Sequence, residues 1–195
     1  MQKREASCSS CGRIVPSYDT VQYGSIEKGY KQLCNQCFNQ QVARMDGLDA
    51  FQHANFPPIG LVDCTGEVHE FNFRTHLFGP GVALDAFELR DGQPRGYRFQ
   101  IIGDPKDDLM VLFGQLVERI RRALSIKHLV NGELGLQIAE RIVRAQIEWD
   151  DDYDGRLPIL VIDGREVKWE ELGRMLMNFE GWQFRLNILD KSEEC

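Results

Sequence analysis

Two Cys-x-x-Cys pairs restrict the first part of this chain more than any other feature. Cys8-Ser9-Ser10-Cys11 is followed by Gly12, and Cys34-Asn35-Gln36-Cys37 comes after a spacer of 22 residues. Each two-residue spacer lets both sulfurs of a pair turn to the same side, so the pairs read as two knuckles biting one tetrahedral metal. Gly12 frees the backbone to bring amide groups near the first two sulfurs. A dithiol redox motif would stand once, at the start of a helix after a strand, rather than twice around a polar loop. Four protein thiolates close the coordination sphere, and the expectation is one structural Zn²⁺ held by Cys8, Cys11, Cys34 and Cys37.

Between and after the knuckles, a hairpin from Ile14-Val15 to Tyr30 and a helix from Asn35 to Met45 are expected, with Phe38, Val42 and Met45 on one face. In this order of elements the segment resembles a treble-clef finger. Leu33-Cys34-Asn35-Gln36-Cys37 is similar to the second knuckle of GATA-type fingers, Leu-Cys-Asn-x-Cys, although the spacer here is longer. That family reads DNA with help from a basic segment after the helix. Asp46-Gly47-Leu48-Asp49-Ala50-Phe51 stands there instead, so the resemblance does not carry DNA binding with it. A nuclease of the HNH kind needs histidine inside the clef, and residues 8–45 contain none.

The expected division is a zinc module over 1–46, a linker over 47–58 and one α+β domain over 59–195. Charge divides with it: residues 1–46 hold six Lys/Arg against four Asp/Glu, and with a whole-chain charge of −7 the remaining 149 residues carry −9. An acidic body repels phosphate, so nucleic acid would have to meet the finger, through Lys3, Arg4, Arg13, Lys28 and Lys31. No stretch approaches a membrane helix in length and no leader is visible at Met1–Glu5, so a cytosolic chain with reduced thiols is expected. Leu48, Phe51 and Phe56 make the linker too apolar for a free tether, which predicts a docked finger.

The body opens with sheet signals. Leu61-Val62-Asp63 turns at Thr65-Gly66 into Val68–Thr75, where His69, Phe71 and Phe73 alternate with polar residues. Val82–Arg90 and Gly96–Ile102 flank a Gly-containing turn, giving four antiparallel strands in succession. A helix then starts at Asp104 as N-cap and runs towards Lys127, with Leu109, Leu112, Phe113, Leu116, Val117, Ile120 and Leu124 on its apolar face. Arg119, Arg121 and Arg122 near its end complement the helix dipole. Val143–Trp149 and Leu157–Ile162 read as strands. Between them, Asp150, Asp152, Asp154 and Gly155 mimic the front of an EF-hand loop, but Val161 stands where the bidentate Glu belongs, so a solvated loop is expected.

The last unit reads as strand, turn at Asp163-Gly164, helix and strand. Trp169, Leu172, Met175, Leu176 and Phe179 share a helical face, and Trp182, Phe184, Leu186 and Ile188 alternate along the final strand as core residues. The predicted fold class is therefore α+β, a small treble-clef finger docked on an antiparallel sheet covered by two main helices. From residue 58 the chain resembles uncharacterised bacterial domains, in Leu160-Val161-Ile162-Asp163-Gly164-Arg165, Trp169-Glu170-Glu171-Leu172-Gly173-Arg174-Met175 and Phe179-Glu180-Gly181-Trp182-Gln183-Phe184. That resemblance implies no activity.

Phosphate loops, nucleophile elbows and zinc-protease helices are missing from the sequence. His53, Cys64, His69 and His76 are the residues from which a second metal site could be built, but His69 and His76 have opposite parity along one strand. Cys64 reads as a small buried or turn-flanking hydrophobe and Cys195 as an exposed bystander. The reading with most support is a zinc-binding adaptor or regulatory protein with a protein partner, no catalytic residues and no membrane. Nucleic-acid binding through the finger is the alternative, and a hydrolase or transferase using Cys64 or His69 stands third.

Overall fold

The computed structural model describes residues 5–27, 29–79, 81–133 and 135–193, with Asp151 described by its main chain alone. It is a mixed α/β molecule whose sheets are antiparallel and whose described residues include three α-helices. No described helix is long and apolar enough to cross a membrane.

The first elements are two hairpins rather than the single one expected. β1 (Glu5–Ser7) pairs with β2 (Ile14–Pro16), and β3 (Thr20–Ser25) pairs with β4 (Gly29–Cys34). β4 runs straight into α1 (Asn35–Met45). The predicted helix span holds, but its buried face differs. Met45 is exposed, whereas Asn35, Asn39 and Ala43 are the buried residues of α1. Apolar periodicity missed this because the face is held by hydrogen bonds.

Those bonds go to the central sheet, in which β5 (Ile59–Val62), β6 (Val68–Phe78), β7 (Gly81–Arg90) and β8 (Gln93–Gly103) stand in chain order. β5 covers only residues 68–71 of β6. Along the rest of that edge, Asn39 donates Nδ2–H to Thr75 O at 2.7 Å and accepts Leu77 N–H through Oδ1 at 2.9 Å. Its amide thereby takes the place of a neighbouring strand's main chain. Asn35 Nδ2 donates a second bond to Thr75 O at 2.7 Å, and Phe38 stacks on His76 with 4.7 Å between ring centres. Arg74 of β6 adds a bond to Tyr18 O at 2.9 Å and an ion pair with Asp85.

α2 (Leu109–Leu124) lies on β7 and β8, and its predicted apolar residues Leu109, Leu112, Leu116, Val117, Ile120 and Leu124 are buried. Its cap is Asp108, which accepts Met110 N–H. The expected cap, Asp104, instead closes the preceding turn, accepting the N–H of Lys106 on its side chain and that of Asp107 on its carbonyl. With proline next to it, Asp104 is held in a turn, and the helix begins one turn later. One core joins Ala43 of α1, linker residues Leu48, Phe51 and Phe56, the central sheet and α2. The linker is packed down, as its composition implied.

The two main helices do not cover one sheet, which corrects that expectation. A second, smaller sheet holds β11 (Gln146–Trp149), β12 (Pro158–Ile162) and β13 (Arg165–Lys168), preceded by the hairpin of β9 (Leu129–Gly132) and β10 (Gly135–Ile138). α3 (Trp169–Leu176) packs on β10, β12 and β13, and Leu129, Leu160, Ile162, Val167 and Met175 form a separate core. Val143–Ala145 stay outside β11. The final strand is absent: residues 182–190 carry no regular secondary structure, and Trp182, Phe184, Leu186 and Ile188 are exposed. Trp169, expected in the core, is 45 % exposed at the start of α3.

Candidate metal centre

The first knuckle is the turn between β1 and β2. Cys8 N–H donates to Arg13 O and Gly12 N–H to Cys8 O, both at 2.9 Å, and Gly12 has φ +72°, the left-handed conformation expected of a glycine closing such a turn. Ser9 N–H donates to Gln32 O of β4 at 2.8 Å, which fixes this knuckle against the second one. Cys34 is the last residue of β4 and the N-cap of α1, and Cys37 sits in the helix's first turn. A strand end and a helix start thus aim the second pair at the first.

All four sulfurs lie within 4.8 Å of one another, and the pair from Cys11 to Cys34 is 3.9 Å apart. Four thiolates around one Zn²⁺ at the usual Zn–S length stand about 3.8 Å apart, so the cluster has the dimensions of a closed tetrahedral site. Cys8 and Cys34 are buried, Cys37 is partly covered and Cys11 faces solvent. The donor set is all sulfur, which selects a soft or borderline ion.

Arg13 stands over the cluster. Its Nε lies 3.4 Å from Cys11 Sγ, and its Nη2 lies 3.7 Å from Cys34 Sγ and 2.6 Å from Gln36 Oε1. The guanidinium brings the Cys11 thiol down to about 6, while burial pushes Cys37 up to about 12. A tetrathiolate zinc site carries a charge of −2, and one arginine at its side offsets part of it.

A second polar cluster joins the central sheet to the C-terminal unit, and sequence reading missed it. A β-bulge at Phe87/Glu88 leaves Tyr97 N–H without a ladder carbonyl, and Glu88 Oε2 accepts it at 2.8 Å. Glu88 Oε1 lies 2.8 Å from His69 Nδ1, and Asp63 Oδ2 lies 3.1 Å from His69 Nε2 and 2.5 Å from Lys127 Nζ. Asp63 Oδ1 takes the N–H of Thr65, its hydroxyl and the N–H of Glu67. Burial disfavours the Asp63 carboxylate, but the bonds from Lys127, Thr65, His69 and Glu67 outweigh it and hold the carboxyl well below the usual range. Burial also pushes Tyr97 up to about 12, against the pull of Lys127.

Asp63, Glu67 and His69 have side-chain atoms close enough to share a cation. However, the Lys127 ammonium already stands where a metal would meet Asp63, and Asp63 accepts five bonds. The cluster closes on itself as a clamp: Lys127 pairs with Asp63, and the two ring nitrogens of His69 face Asp63 and Glu88. Its only sequence signal was the polar His69 on the buried face of a strand.

The four residues weighed for a second metal site stand apart. His53 bonds Asn39 and Asn55, His76 stacks on Phe38, and His69 is enclosed by Asp63 and Glu88. Burial holds His53 and His76 below the usual imidazole range. Cys64 is exposed in its turn, with its N–H bonded to Leu124 O. Cys195 lies outside the described residues.

The acidic loop after β11 binds itself: Asp150 accepts Asp152 N–H on its side chain and Gly155 N–H on its carbonyl, and Asp152 pairs with Lys168. On α2, Arg119 donates to the carbonyls of Gln100, Ser192 and Glu193 and Arg121 pairs with Glu118. Of the cations assigned to nucleic acid, Arg13 is committed to the cysteines, Lys31 is exposed, and Lys3, Arg4 and Lys28 lie outside the described residues.

Comparison with known families divides the chain into three consecutive segments. Residues 7–49 are similar to a domain of unknown function, DUF7685. Residues 52–125 are similar to a second, DUF7686, and residues 128–193 to a third, DUF7713. The four cysteines all fall in the first segment. Asp63, His69 and Glu88 fall in the second, and Lys127 stands between the second and the third. No curated protein and no solved structure matches the chain.

Proposed function

We propose that Cys8, Cys11, Cys34 and Cys37 bind one structural Zn²⁺ in a module of treble-clef type, and that the protein is an adaptor or regulator acting through contacts with a protein partner. The observation carrying the first part is the closure of the site: four sulfurs at tetrahedral spacing, with Arg13 at the side. The metal would supply folding free energy, because a segment of this size buries few apolar groups around Cys8, Leu33 and Cys34. Its thiolates hold β4, the first knuckle and the start of α1 in one geometry, and Asn35 and Asn39 fix that geometry to the central sheet.

The adaptor reading follows from what the finger presents outward. Ile14 on β2, Ile26 at the tip between β3 and β4, and Tyr30 on β4 are exposed at 69 %, 91 % and 62 %. A rigid module with apolar side chains at its tip suits a protein surface better than a phosphate backbone, and Arg13 is engaged elsewhere.

Elemental analysis tests the first part, and affinity capture the second. Wild type is expected to carry one zinc per chain and Cys34→Ser none. Ile26→Asp is expected to keep its zinc and lose the captured partner. A full zinc complement in Cys34→Ser overturns the metal assignment; undiminished partner capture by both variants overturns the finger as the interaction surface.

A further inference from the structure

α1 docks on the central sheet through a chain of bonds whose donors and acceptors can be assigned one by one. Main-chain groups of β6 fix the Asn39 amide: Oδ1 accepts Leu77 N–H at 2.9 Å, so Nδ2 is the end that meets Thr75 O at 2.7 Å. An amide nitrogen of this kind carries two hydrogens and accepts nothing. Its second hydrogen is left for His53, whose Nδ1 lies 2.8 Å from Asn39 Nδ2. His53 Nδ1 is therefore the bare, accepting nitrogen. The ring proton sits on Nε2, 3.0 Å from Asn55 Oδ1.

His76, at the same interface, has the opposite arrangement. Asn35 Nδ2 donates to Thr75 O, which leaves Asn35 Oδ1 to accept from His76 Nδ1 at 3.2 Å. A proton added to His76 goes to Nε2 and leaves that bond intact. A proton added to His53 goes to Nδ1 and sets N–H against N–H. Turning the Asn39 amide over gives no relief, because Nδ2 would then meet Leu77 N–H and Oδ1 would meet Thr75 O.

The surroundings of His53 oppose the added charge. Burial disfavours the cation, Arg13 of the first knuckle adds to this, and the bond to Asn55 works against both without reversing them. Among the described residues no carboxylate pairs with the ring. The groups packed on it from α1 and β6 are neutral: Asn39, and Thr75, whose hydroxyl holds the adjacent Ala54 O at 3.0 Å. His53 is only partly buried, so protons from solvent reach it.

We propose that His53 is an acid-sensitive latch: protonation of its Nδ1 breaks the bridge to Asn39 and loosens α1, with the finger attached to it, from β6. An imidazole held below its ordinary range while docked takes up a proton more readily once released. Docking is therefore complete above about pH 6.5 and weakens as pH falls, by up to about tenfold per pH unit for this one proton. The bonds of the latch involve none of the four cysteines, so it goes beyond the metal-site reading and does not rest on it.

Hydrogen exchange at the Leu77 amide of the full chain, corrected for the intrinsic pH dependence of exchange, tests this from about pH 7.5 to about pH 5. Wild type is expected to lose at least about fivefold of its protection at Leu77 over this interval and to regain it at neutral pH. His53→Gln keeps a neutral side chain with an accepting oxygen and a donating amide, and is expected to lose less than about twofold. Acid acting on the cysteine thiolates would open both proteins alike, so the difference between them belongs to His53. Imidazole nitrogen NMR shifts of wild type at neutral pH give a second reading, with Nδ1 expected bare at His53 and protonated at His76. Protection at Leu77 that does not fall with pH, an equal fall in both proteins, or a protonated Nδ1 at His53 at neutral pH overturns the proposal.

Discussion

Asp63 shows how much one side chain can hold when its surroundings favour its charge. Five donors converge on it from Thr65, Glu67, His69 and Lys127, and its carboxyl is held well below the usual range. A carboxyl depressed in the folded state takes up protons more readily when unfolded. Its contribution is thus complete above the unfolded value and is lost as pH falls towards the folded one. Wild type should lose up to about 1.4 kcal/mol per pH unit to this group below about pH 4. Asp63→Asn leaves Lys127 and His69 facing a neutral amide in a buried site, and should cost about 3 kcal/mol at neutral pH. Urea titrations of both proteins from pH 7 down to pH 3 check this: the gap between them should be widest at neutral pH and narrow in acid. A gap independent of pH would mean that Asp63 acts through packing rather than through its charge.

At the level of elements, α1 is held to the sheet by an amide that stands in for a strand. Asn39→Ala removes both bonds to β6 and the contact with His53, and orphans Leu77 N–H, while Thr75 O keeps Asn35. The expected loss is about 2 kcal/mol in urea denaturation, with faster hydrogen exchange at the Leu77 amide as the local signature. Unchanged exchange there would show that another group covers this edge. Sequence periodicity could not reveal the docking, because it weighs apolar residues and this face is polar. It did reveal the four-strand run, where alternation along Val68–Thr75 coincides with a face that α2 covers. The same alternation along Trp182–Ile188 pairs with no strand among the described residues, and period alone cannot say whether a strand finds one. The cysteine cluster was legible because a metal site is written in short spacings. The Asp63 clamp was not, since its members lie far apart in sequence and meet only through a bulge and a turn.

At the scale of the whole molecule, the arrangement of cores determines what metal loss reaches. Cys8, Leu33 and Cys34 form the finger's own small core, while Val42 and Ala43 of α1 belong to the central core with the sheet and α2. Loosening the knuckles therefore frees a helix that covers part of the central sheet. The C-terminal unit has a core of its own around Leu160, Ile162 and Val167, and side-chain ties cross to it as ion pairs: Lys127 to Asp63, Arg95 to Glu166 and Arg98 to Glu148. Two cores joined mainly by polar ties can unfold in separate steps. Calorimetry of the metal-loaded and chelated protein should show two transitions. Chelation should lower the one that includes the central sheet by at least about 10 °C, since even about 2 kcal/mol moves a domain of that size this far. The transition of the C-terminal unit should stay in place. An equal shift in both would mean that the clamp at Asp63 makes one cooperative body of the two units. No shift in either would mean that the finger folds on its hydrogen bonds to β6, without the metal.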